Sequence, residues 1–258
     1  MDYSTIRLKI DDGVAVIALD RPEVMNALNT QMRAEILDAV KAAERHARVI
    51  VLTGTGNAFC SGQDLGAGTS LAAADLERTL RDEYNPMLKA ISDSPLPVIS
   101  AVNGAAVGAG ASLALAADVV IATESAVFLQ AFARIGLMPD AGATYWLPRQ
   151  VGFARAMGAA LFAEPVKARQ AADWGMIWEA VADDAFDAHW RARAKALATG
   201  PTVAYTSAKQ ALRGSYNRTL DEQLLAEARL QGQCGKTRDF REGVLAFIEK
   251  RTADFEGR

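Results

Sequence analysis

The sequence predicts an α/β protein in which strands and helices alternate along the chain. Short apolar runs of β-strand length recur in the first part of the 258 residues, and helical patterns separate them. Half of the residues are hydrophobic (50%), enough to bury one large core or a core with a smaller extension. We expect a core domain over residues 1–195 and a C-terminal helical region over residues 196–258.

The N-terminal quarter is predicted to form a hairpin, a helix and a buried strand. Apolar residues alternate in 6–10 and 14–19, and a polar DDG turn joins these two runs. Residues 30–45 have apolar side chains at helical spacing, and 49–52 form a β-branched run suited to a buried strand. The sheet therefore begins antiparallel and continues through a crossover.

The rest of the chain continues the alternation and then becomes helical. We predict a helix over 71–91, which Pro86 breaks or kinks. The predicted strands of this part cover 98–102, 119–122, 126–129 and a short run near 176–181. Amphipathic helical patterns without strands between them cover 201–212, 220–230 and 238–250, and they predict a helical cap or an oligomer surface.

Composition excludes several classes of protein. A net charge of −3 without a basic run argues against nucleic-acid or membrane-surface binding. Two cysteines, Cys60 and Cys234, are too few for a disulfide framework, and two histidines make a zinc site unexpected. The uncharged stretch 98–117 contains an Asn-Gly turn and is rich in Ala and Gly, so we reject a membrane span. The N-terminus lacks a leader pattern, and we expect a cytoplasmic protein.

The segment NGAAVGAGAS at residues 103–112 is a turn between a strand-like and a helix-like run. Its glycines allow close backbone approach, and free amides at the start of a helix suit a phosphate or a developing oxyanion. A dinucleotide fingerprint is a weak match because Leu113 stands at the third glycine position, and the lysine of a P-loop is missing. Close packing of small residues on the sheet is the structural alternative.

Two further segments carry candidate chemistry. FCSGQDL at residues 59–65 places Gly62 where a strand gives way to a loop, and Cys60 beside Phe59 is interpreted as a buried, inert thiol. IGLMPDAGAT at residues 135–144 places Asp140 in an apolar setting, which raises the pKa of a carboxyl toward the range of a general base. A helix N-cap is the alternative role for Asp140.

These three segments, in this order and spacing, resemble the enoyl-CoA hydratase/isomerase (crotonase) superfamily. The likeness runs from RPEVMNAL at residues 21–28 to EGVLAFIEKR at residues 242–251 and so covers nearly the whole chain. It implies a crotonase-like spiral of ββα units with a C-terminal helical region, assembled as a homotrimer or a dimer of trimers. Within the superfamily, EYNPM, LMPDAGATYWLPR and WGMIW are most similar to isomerases that act on ring epoxides in bacterial phenylacetate breakdown.

The resemblance implies roles for residues of the turns. The backbone N–H groups of Gln63 and Ala109 would form an oxyanion hole for the thioester carbonyl. CoA would contact the loop at 24–27, the turn at 61–65 and the C-terminal helix of a neighbouring subunit, where Lys250 is either a phosphate contact or a solvated lysine. The implied binding residues are Val24, Met25, Ala27, Ser61, Gln63, Asp64, Leu65, Phe247 and Lys250.

The departures from the superfamily pattern decide the expected reaction. Hydratases of the superfamily have glutamates where this chain has Ser112 and Phe132, and neither a serine hydroxyl nor a phenyl ring can act as a general acid or base on water near neutral pH. Some isomerases instead use an aspartate at the position of Asp140, which is therefore the implied acid/base. Phe132, Tyr145 and Trp146 are candidates for an apolar acyl pocket or for plain core.

We therefore expect an acyl-CoA isomerase that rearranges a ring epoxide, moves a double bond, or does both. The substrate is an acyl-CoA thioester, so coenzyme A enters as part of the substrate, and no metal or redox cofactor is expected. One alternative is a hydratase, lyase or hydrolase of the same superfamily that uses Asp64 or Glu164. The other is a non-catalytic acyl-CoA-binding protein.

Overall fold

The computed structural model describes residues 2–66 and 75–258. The strands are β1 (Ile6–Asp11), β2 (Val14–Leu19), β3 (Val49–Gly54), β4 (Ala58–Cys60), β5 (Val98–Val102), β6 (Ala105–Val107), β7 (Val119–Thr123), β8 (Val127–Leu129), β9 (Val166–Lys167) and β10 (Glu179–Val181). The α-helices are α1 (Thr30–His46), α2 (Leu76–Thr79), α3 (Asn85–Asp93), α4 (Ala109–Leu115), α5 (Ala143–Val151), α6 (Phe153–Phe162), α7 (Ala168–Asp173), α8 (Phe186–Ala198), α9 (Thr202–Gly214), α10 (Leu220–Cys234) and α11 (Arg238–Glu249).

From β3 to β8, successive strands alternate between two sheets. The larger sheet has the order β1-β2-β3-β5-β7-β10, and the smaller has the order β4-β6-β8-β9. The β1–β2 and β8–β9 pairs are antiparallel and the other pairs are parallel. Each of β3, β5 and β7 lies in the larger sheet and is followed by a strand of the smaller sheet, with helices between these pairs. This repeat is the predicted spiral of ββα units, and the α/β prediction is confirmed.

The central strands are apolar throughout because both faces of the larger sheet are covered. In β3, Val49 and Val51 pack with Trp190 of α8, whereas Ile50 belongs to the main core between the sheets and the other helices. A parallel strand buried on both faces needs apolar side chains at every position. The β-branched run at residues 49–52 therefore predicted a buried strand correctly.

Pro86 does not break the helix predicted over 71–91. Residues 71–74 lie outside the described part, and the remainder is α2, a π-helical turn at Leu80–Tyr84, and α3. Pro86 is the second residue of α3 and follows the π-helical turn directly, so the backbone stays helical through the proline. The π-helical turn at Leu80–Tyr84 is the irregularity that the structure shows where a break or kink was predicted.

Two strands of the smaller sheet were not predicted. β6 lies inside the segment interpreted as a turn, and β9 lies in a stretch interpreted as helical. They have three and two residues, too few for an alternating pattern to develop. The strand expected near 176–181 is shorter than predicted, because only Glu179–Val181 pairs with β7.

The C-terminal helices α9, α10 and α11 match the predicted helical patterns closely. α9 is fixed to the core because Asp118 pairs with Lys209 Nζ at 2.8 Å and with Arg213 Nη2 at 2.7 Å. The predicted domain boundary at residues 195 and 196 lies within α8, and the division itself stays a prediction. In the described ranges, no helix has both the length and the apolar character needed to cross a bilayer.

Candidate active site

Two backbone turns meet at one edge of the smaller sheet. β4 and β6 are parallel neighbours, so the turn after Cys60 and the turn that leads from β6 into α4 emerge side by side. A Cβ on Gly110 would lie 2.2 Å from the carbonyl oxygen of Cys60. Gly62 has φ +95°, and a Cβ there would lie 2.8 Å from the carbonyl oxygen of Val107. Glycine at both positions is what lets the two turns touch.

Each turn presents one backbone N–H that has no acceptor in the described part of the chain. Leu28 N–H donates to Gly62 O at 2.7 Å, and Asp64 N–H donates to Leu28 O at 3.1 Å, so the intervening Gln63 N–H is turned away from this bridge. Ala109 is the first residue of α4 and has no intrahelical acceptor. Within the described residues, neither N–H makes a hydrogen bond to the protein. Both residues line the same cavity, as an oxyanion hole requires.

The structure brings the two segments expected to bind CoA together. Ser61 N–H donates to Met25 O at 2.9 Å, and Ser61 Oγ donates to Val24 O at 3.1 Å. Met25 and Leu65 are more than half exposed beside this junction, which leaves them accessible to a ligand. The loop and the turn therefore form one continuous surface at the edge of the cavity.

Ala27 and Asp64 are held by Arg21. Arg21 Nη1 donates to Ala27 O at 2.7 Å and pairs with Asp64 Oδ2 at 2.8 Å. The N–H of Gly66 and the Arg21 guanidinium lower the pKa of Asp64, so its carboxylate is ionised near neutral pH. Asp64 does not line the cavity, and the side chain of Ala27 is buried. Both residues therefore contribute to the shape of the loop.

Asp140 lies in an apolar cavity of about 290 Å³ next to the two turns. It is the only carboxylate among the lining residues that the structure describes. Its side chain makes no hydrogen bond or ion pair within the described part of the chain, and burial raises its pKa to about 6. The lining residues are Ser61, Gly62, Gln63, Leu65, Leu76, Thr79, Leu80, Tyr84, Val107, Gly108, Ala109, Ala131, Phe132, Arg134, Ile135, Leu137 and Asp140.

The N-cap alternative for Asp140 is wrong. α5 begins at Ala143, its N-cap residue is Gly142, and no side chain caps it. The backbone of Asp140 instead fixes the turn, since its carbonyl oxygen accepts from Ala143 N–H at 2.9 Å and from Ser112 Oγ at 3.0 Å. Among the described residues, the carboxyl group of Asp140 has no hydrogen-bond partner, and it lies beside the cavity.

Ser112 and Phe132 offer no proton-transfer group. Ser112 is fully buried and donates to the backbone of Asp140. The ring of Phe132 is buried against Gly108, with Cζ 3.9 Å from the position that a Cβ there would occupy. Phe132 lines the cavity, as expected of an acyl-pocket residue.

Tyr145 and Trp146 do not line this cavity, so their expected place in the acyl pocket is corrected. They line a separate cavity of about 670 Å³ beside α9, where the Arg149 guanidinium stacks on Tyr145 at 3.7 Å from the ring centroid. Both follow the turn after Asp140 within α5, and the helix directs them away from the two turns.

Phe247 and Lys250 lie at the end of α11 and do not line the cavity of their own chain. The side chain of Phe247 is 85% exposed, and Lys250 ends the helix in a left-handed conformation with φ 54°. Their contact with CoA in a neighbouring subunit stays a prediction. Glu164, a candidate carboxylate, is exposed and likewise does not line the cavity.

The interpretation of Cys60 as an inert thiol is confirmed. The residue is fully buried, and burial raises its pKa to about 12. Elsewhere in the described ranges, no three His, Cys, Asp or Glu side chains are grouped as a metal site.

Sequence reasoning missed the polar residues behind Gln63. Tyr84 lines the cavity, and its hydroxyl donates to Gln63 Oε1 at 2.6 Å; Arg33 Nη1 donates to the same oxygen at 3.1 Å. Tyr84 belongs to the EYNPM segment, whose resemblance to isomerases does not indicate a contact with Gln63. Arg33 gave no signal, because an arginine within a helix is normally solvated.

A spiral of ββα units with a cavity between its paired turns defines a class of enzymes that act on CoA thioesters. The chain belongs to the enoyl-CoA hydratase/isomerase family, whose model matches residues 9–258. It is 62% identical over 258 residues to a "probable enoyl-CoA hydratase" of Rhodobacter capsulatus, covering 100% of both chains. It is 43% identical to the 1,2-epoxyphenylacetyl-CoA isomerase of Escherichia coli, covering 96% of this chain and 97% of that one. The crystal structure of an enoyl-CoA hydratase from Bacillus anthracis superimposes with a TM-score of 0.91 at 29% identity, covering 99% of this chain and 100% of that one.

Proposed function

We propose that this enzyme isomerises an acyl-CoA thioester with one acid/base residue. The thioester carbonyl oxygen accepts hydrogen bonds from the N–H groups of Gln63 and Ala109, which stabilise negative charge on that oxygen. Asp140 removes a proton from the acyl chain, the electron pair passes to the carbonyl oxygen as an enolate, and the same carboxyl group returns the proton after the bonds have shifted. The reaction adds no water.

The environment of Asp140 is the observation that carries the proposal. Its carboxyl group lies in a cavity with apolar walls, has no partner among the described residues, and has its pKa raised to about 6 by burial. A base with this pKa is ionised near neutral pH and yet basic enough to accept a proton from carbon when the enolate is stabilised. Asp64 lies outside the cavity and is paired with Arg21, and Glu164 is exposed.

The proposed substrate is ring-1,2-epoxyphenylacetyl-CoA, which rearranges to an enlarged oxygen-containing ring. Support comes from the 43% identity to the 1,2-epoxyphenylacetyl-CoA isomerase of Escherichia coli over nearly the full length of both chains. Enolate stabilisation by the two amides would assist opening of the epoxide. Migration of a double bond in an enoyl-CoA uses the same proton transfers, so it is included in the proposal.

Hydration is the second candidate, because the relative from Rhodobacter capsulatus is named a probable enoyl-CoA hydratase. Adding water across a double bond needs a group that activates water and a group that protonates carbon. The cavity has one carboxylate in the described part of the chain, with Ser112 and Phe132 at the positions of the hydratase glutamates. A non-catalytic acyl-CoA-binding protein is the third candidate.

We also propose a cytoplasmic homotrimer or dimer of trimers. Phe247 and Lys250 are at the exposed end of α11, where a neighbouring subunit's nucleotide could meet them. Both cysteines are free thiols, which suits a reducing compartment.

A substrate comparison tests the proposal. The purified protein is incubated with ring-1,2-epoxyphenylacetyl-CoA, a trans-3-enoyl-CoA and crotonyl-CoA, and products are separated by liquid chromatography with mass detection. We expect conversion of the epoxide without change of mass, isomerisation of the 3-enoyl thioester, and little gain of 18 mass units with crotonyl-CoA. Fast hydration of crotonyl-CoA would contradict the single-acid mechanism, and failure to convert any of the three would favour the binding protein.

A further inference from the structure

A buried arginine lies directly behind the turn that carries Gln63. Arg33 of α1 has only 3% of its side chain exposed. Its Nη1 donates to Leu28 O at 2.8 Å and to Gln63 Oε1 at 3.1 Å. Its charge is balanced by Glu83, whose Oε2 lies 2.5 Å from Nη2 and 3.1 Å from Nε. One guanidinium group thus contacts the backbone beside Gln63 and the side chain of Gln63.

The Leu28 carbonyl oxygen is one of two backbone atoms that hold the turn at Gln63. It accepts from Arg33 and also from Asp64 N–H at 3.1 Å. That second bond, with the bond from Leu28 N–H to Gly62 O, turns Gln63 N–H toward the cavity. A displacement of Leu28 would therefore disturb the peptides on both sides of Gln63, including the Gly62–Gln63 peptide that carries the N–H donor.

The Gln63 side chain is held from a second direction by Tyr84. The Tyr84 hydroxyl donates to Gln63 Oε1 at 2.6 Å, and burial raises its pKa, so the hydroxyl keeps its proton. The Arg33 guanidinium also stacks over the Tyr84 ring at 4.6 Å from the centroid. With two donors on its oxygen, the Gln63 amide has one satisfied orientation.

These contacts join α1 to two segments that line the cavity. Arg33 lies on α1, Gln63 is in the turn after β4, and Glu83 and Tyr84 belong to the π-helical turn whose Leu80 also lines the cavity. The planar, multidentate guanidinium contacts all three at once, whereas an ammonium is a compact point charge on a flexible stem. π-Helical turns often occur at functional sites.

We infer that Arg33, with Tyr84, positions the Gln63 N–H for the thioester oxygen. The inference rests on the proposed function only in taking that N–H as an oxyanion donor. Neither side chain needs to touch the reacting atoms. Their effect is exerted through Leu28 O and Gln63 Oε1, and a displaced donor loses most of its advantage in the transition state.

Infrared spectroscopy of a bound thioester tests this positioning separately from turnover. Hexanoyl-CoA labelled with ¹³C at the thioester carbonyl is bound to wild-type protein, Arg33→Lys and Tyr84→Phe, and the carbonyl stretch is compared with that of free ligand. We expect a shift to lower frequency in the wild type, a smaller shift in Tyr84→Phe and the smallest in Arg33→Lys. In Arg33→Lys we also expect kcat to fall about tenfold or more, with KM changed less than about threefold.

Lys209→Met is the matched control, because Lys209 is a mostly buried cation paired with Asp118 at 2.8 Å and does not line the active cavity. It should keep the wild-type shift and kcat, even if its stability to urea falls. No shift in the wild type would overturn the oxyanion hole itself. A wild-type shift that is unchanged in both variants would overturn the positioning role and leave the proposed function standing. If Arg33→Lys does not fold, Tyr84→Phe decides, and an unchanged shift there contradicts the inference.

Discussion

The buried hydroxyl of Ser112 donates a 3.0 Å hydrogen bond to the backbone carbonyl oxygen of Asp140. Ser112 lies in α4, and the first residue of the same helix, Ala109, presents its free N–H to the cavity. Ala141 and Gly142, which follow Asp140, are both left-handed, with φ 50° and 87°. The carboxyl-bearing turn is therefore tied to the helix that provides one of the proposed oxyanion donors.

Ser112→Ala should weaken the link between α4 and the turn that carries Asp140, because it removes this hydrogen bond. The variant leaves the Asp140 carbonyl with the Ala143 N–H as its donor, and we expect a loss of about 0.5–1.5 kcal/mol in the free energy of unfolding. We expect kcat to fall about tenfold because the carboxyl group is no longer held in one place, with a smaller change in KM. Steady-state kinetics and urea unfolding measure the two effects.

Ser100→Ala is the control for a buried serine. Ser100 is fully buried in β5, and its hydroxyl has no partner among the described residues. Removing an unpaired hydroxyl should leave stability equal or improved and kcat unchanged. Equal kinetic effects of the two substitutions would argue that Ser112 has no part in holding Asp140.

Gly110→Ala should separate the two turns. The new Cβ would lie 2.2 Å from the carbonyl oxygen of Cys60, a backbone atom that cannot move alone. We expect destabilisation of about 1–3 kcal/mol from overpacking and a fall in kcat of at least about tenfold, because the Gln63 and Ala109 donors lose their spacing. Thermal unfolding and kinetics test the prediction.

Gly158→Ala is its matched partner, since Gly158 also lies within a helix, α6, and a Cβ there meets nothing within 4 Å. This variant should gain up to about 1 kcal/mol from helix propensity at unchanged kcat. Wild-type kinetics in Gly110→Ala would contradict the role of close contact between the turns.

The fold was predictable from the sequence where apolar patterns were long. The β1–β2 hairpin, α1 and the buried strand β3 each have a pattern of four or more residues, and each was predicted within a few residues of its observed bounds. β6 and β9 escaped prediction because three or two residues carry no periodicity.

The site was predictable only in part, and for a physical reason. The turns were predictable because glycine indicates a close backbone approach and because an aspartate between apolar residues indicates a poorly solvated carboxyl group. Both features can be read from the local sequence. The contact of Ser112 with Asp140 and of Arg33 with Gln63 joins residues 28 and 30 positions apart. The prediction that Tyr145 and Trp146 line the acyl pocket was wrong. Ala141 and Gly142 are left-handed and set the direction of α5, and no local sequence pattern predicts which cavity the side chains of that helix face.

The pH dependence of stability should report the burial of Asp140. Its pKa is raised to about 6 by burial, so the folded state binds a proton more tightly than the unfolded state, and this contribution to stability is lost as pH rises from about 4 to about 6. Asp140→Asn has no such proton. Its free energy of unfolding relative to wild type should therefore increase over that pH range and then level off. A constant difference between pH 4 and pH 8 in urea titrations would contradict the raised pKa.

The pH dependence of activity should show the same group. Proton abstraction needs the carboxylate, so kcat/KM for the isomerisation should rise with pH through about 6 and reach a plateau. Glu83→Gln changes a carboxylate that pairs with Arg33 and does not line the cavity. In this variant the rise of kcat/KM should occur at the same pH as in the wild type. A limb near pH 4 would indicate a base with an ordinary carboxyl pKa, and Asp140 would not be the group observed.

Hydrogen exchange at the thioester α-carbon tests the central role of Asp140 most directly. Phenylacetyl-CoA can form the enolate but has no epoxide or double bond to relocate, so its exchange in D₂O, followed by mass spectrometry, isolates the proton transfer. We predict that the wild type catalyses this exchange and that Asp140→Asn slows it at least about a hundredfold while still binding the ligand. Equal exchange rates in the two proteins would contradict Asp140 as the acid/base residue.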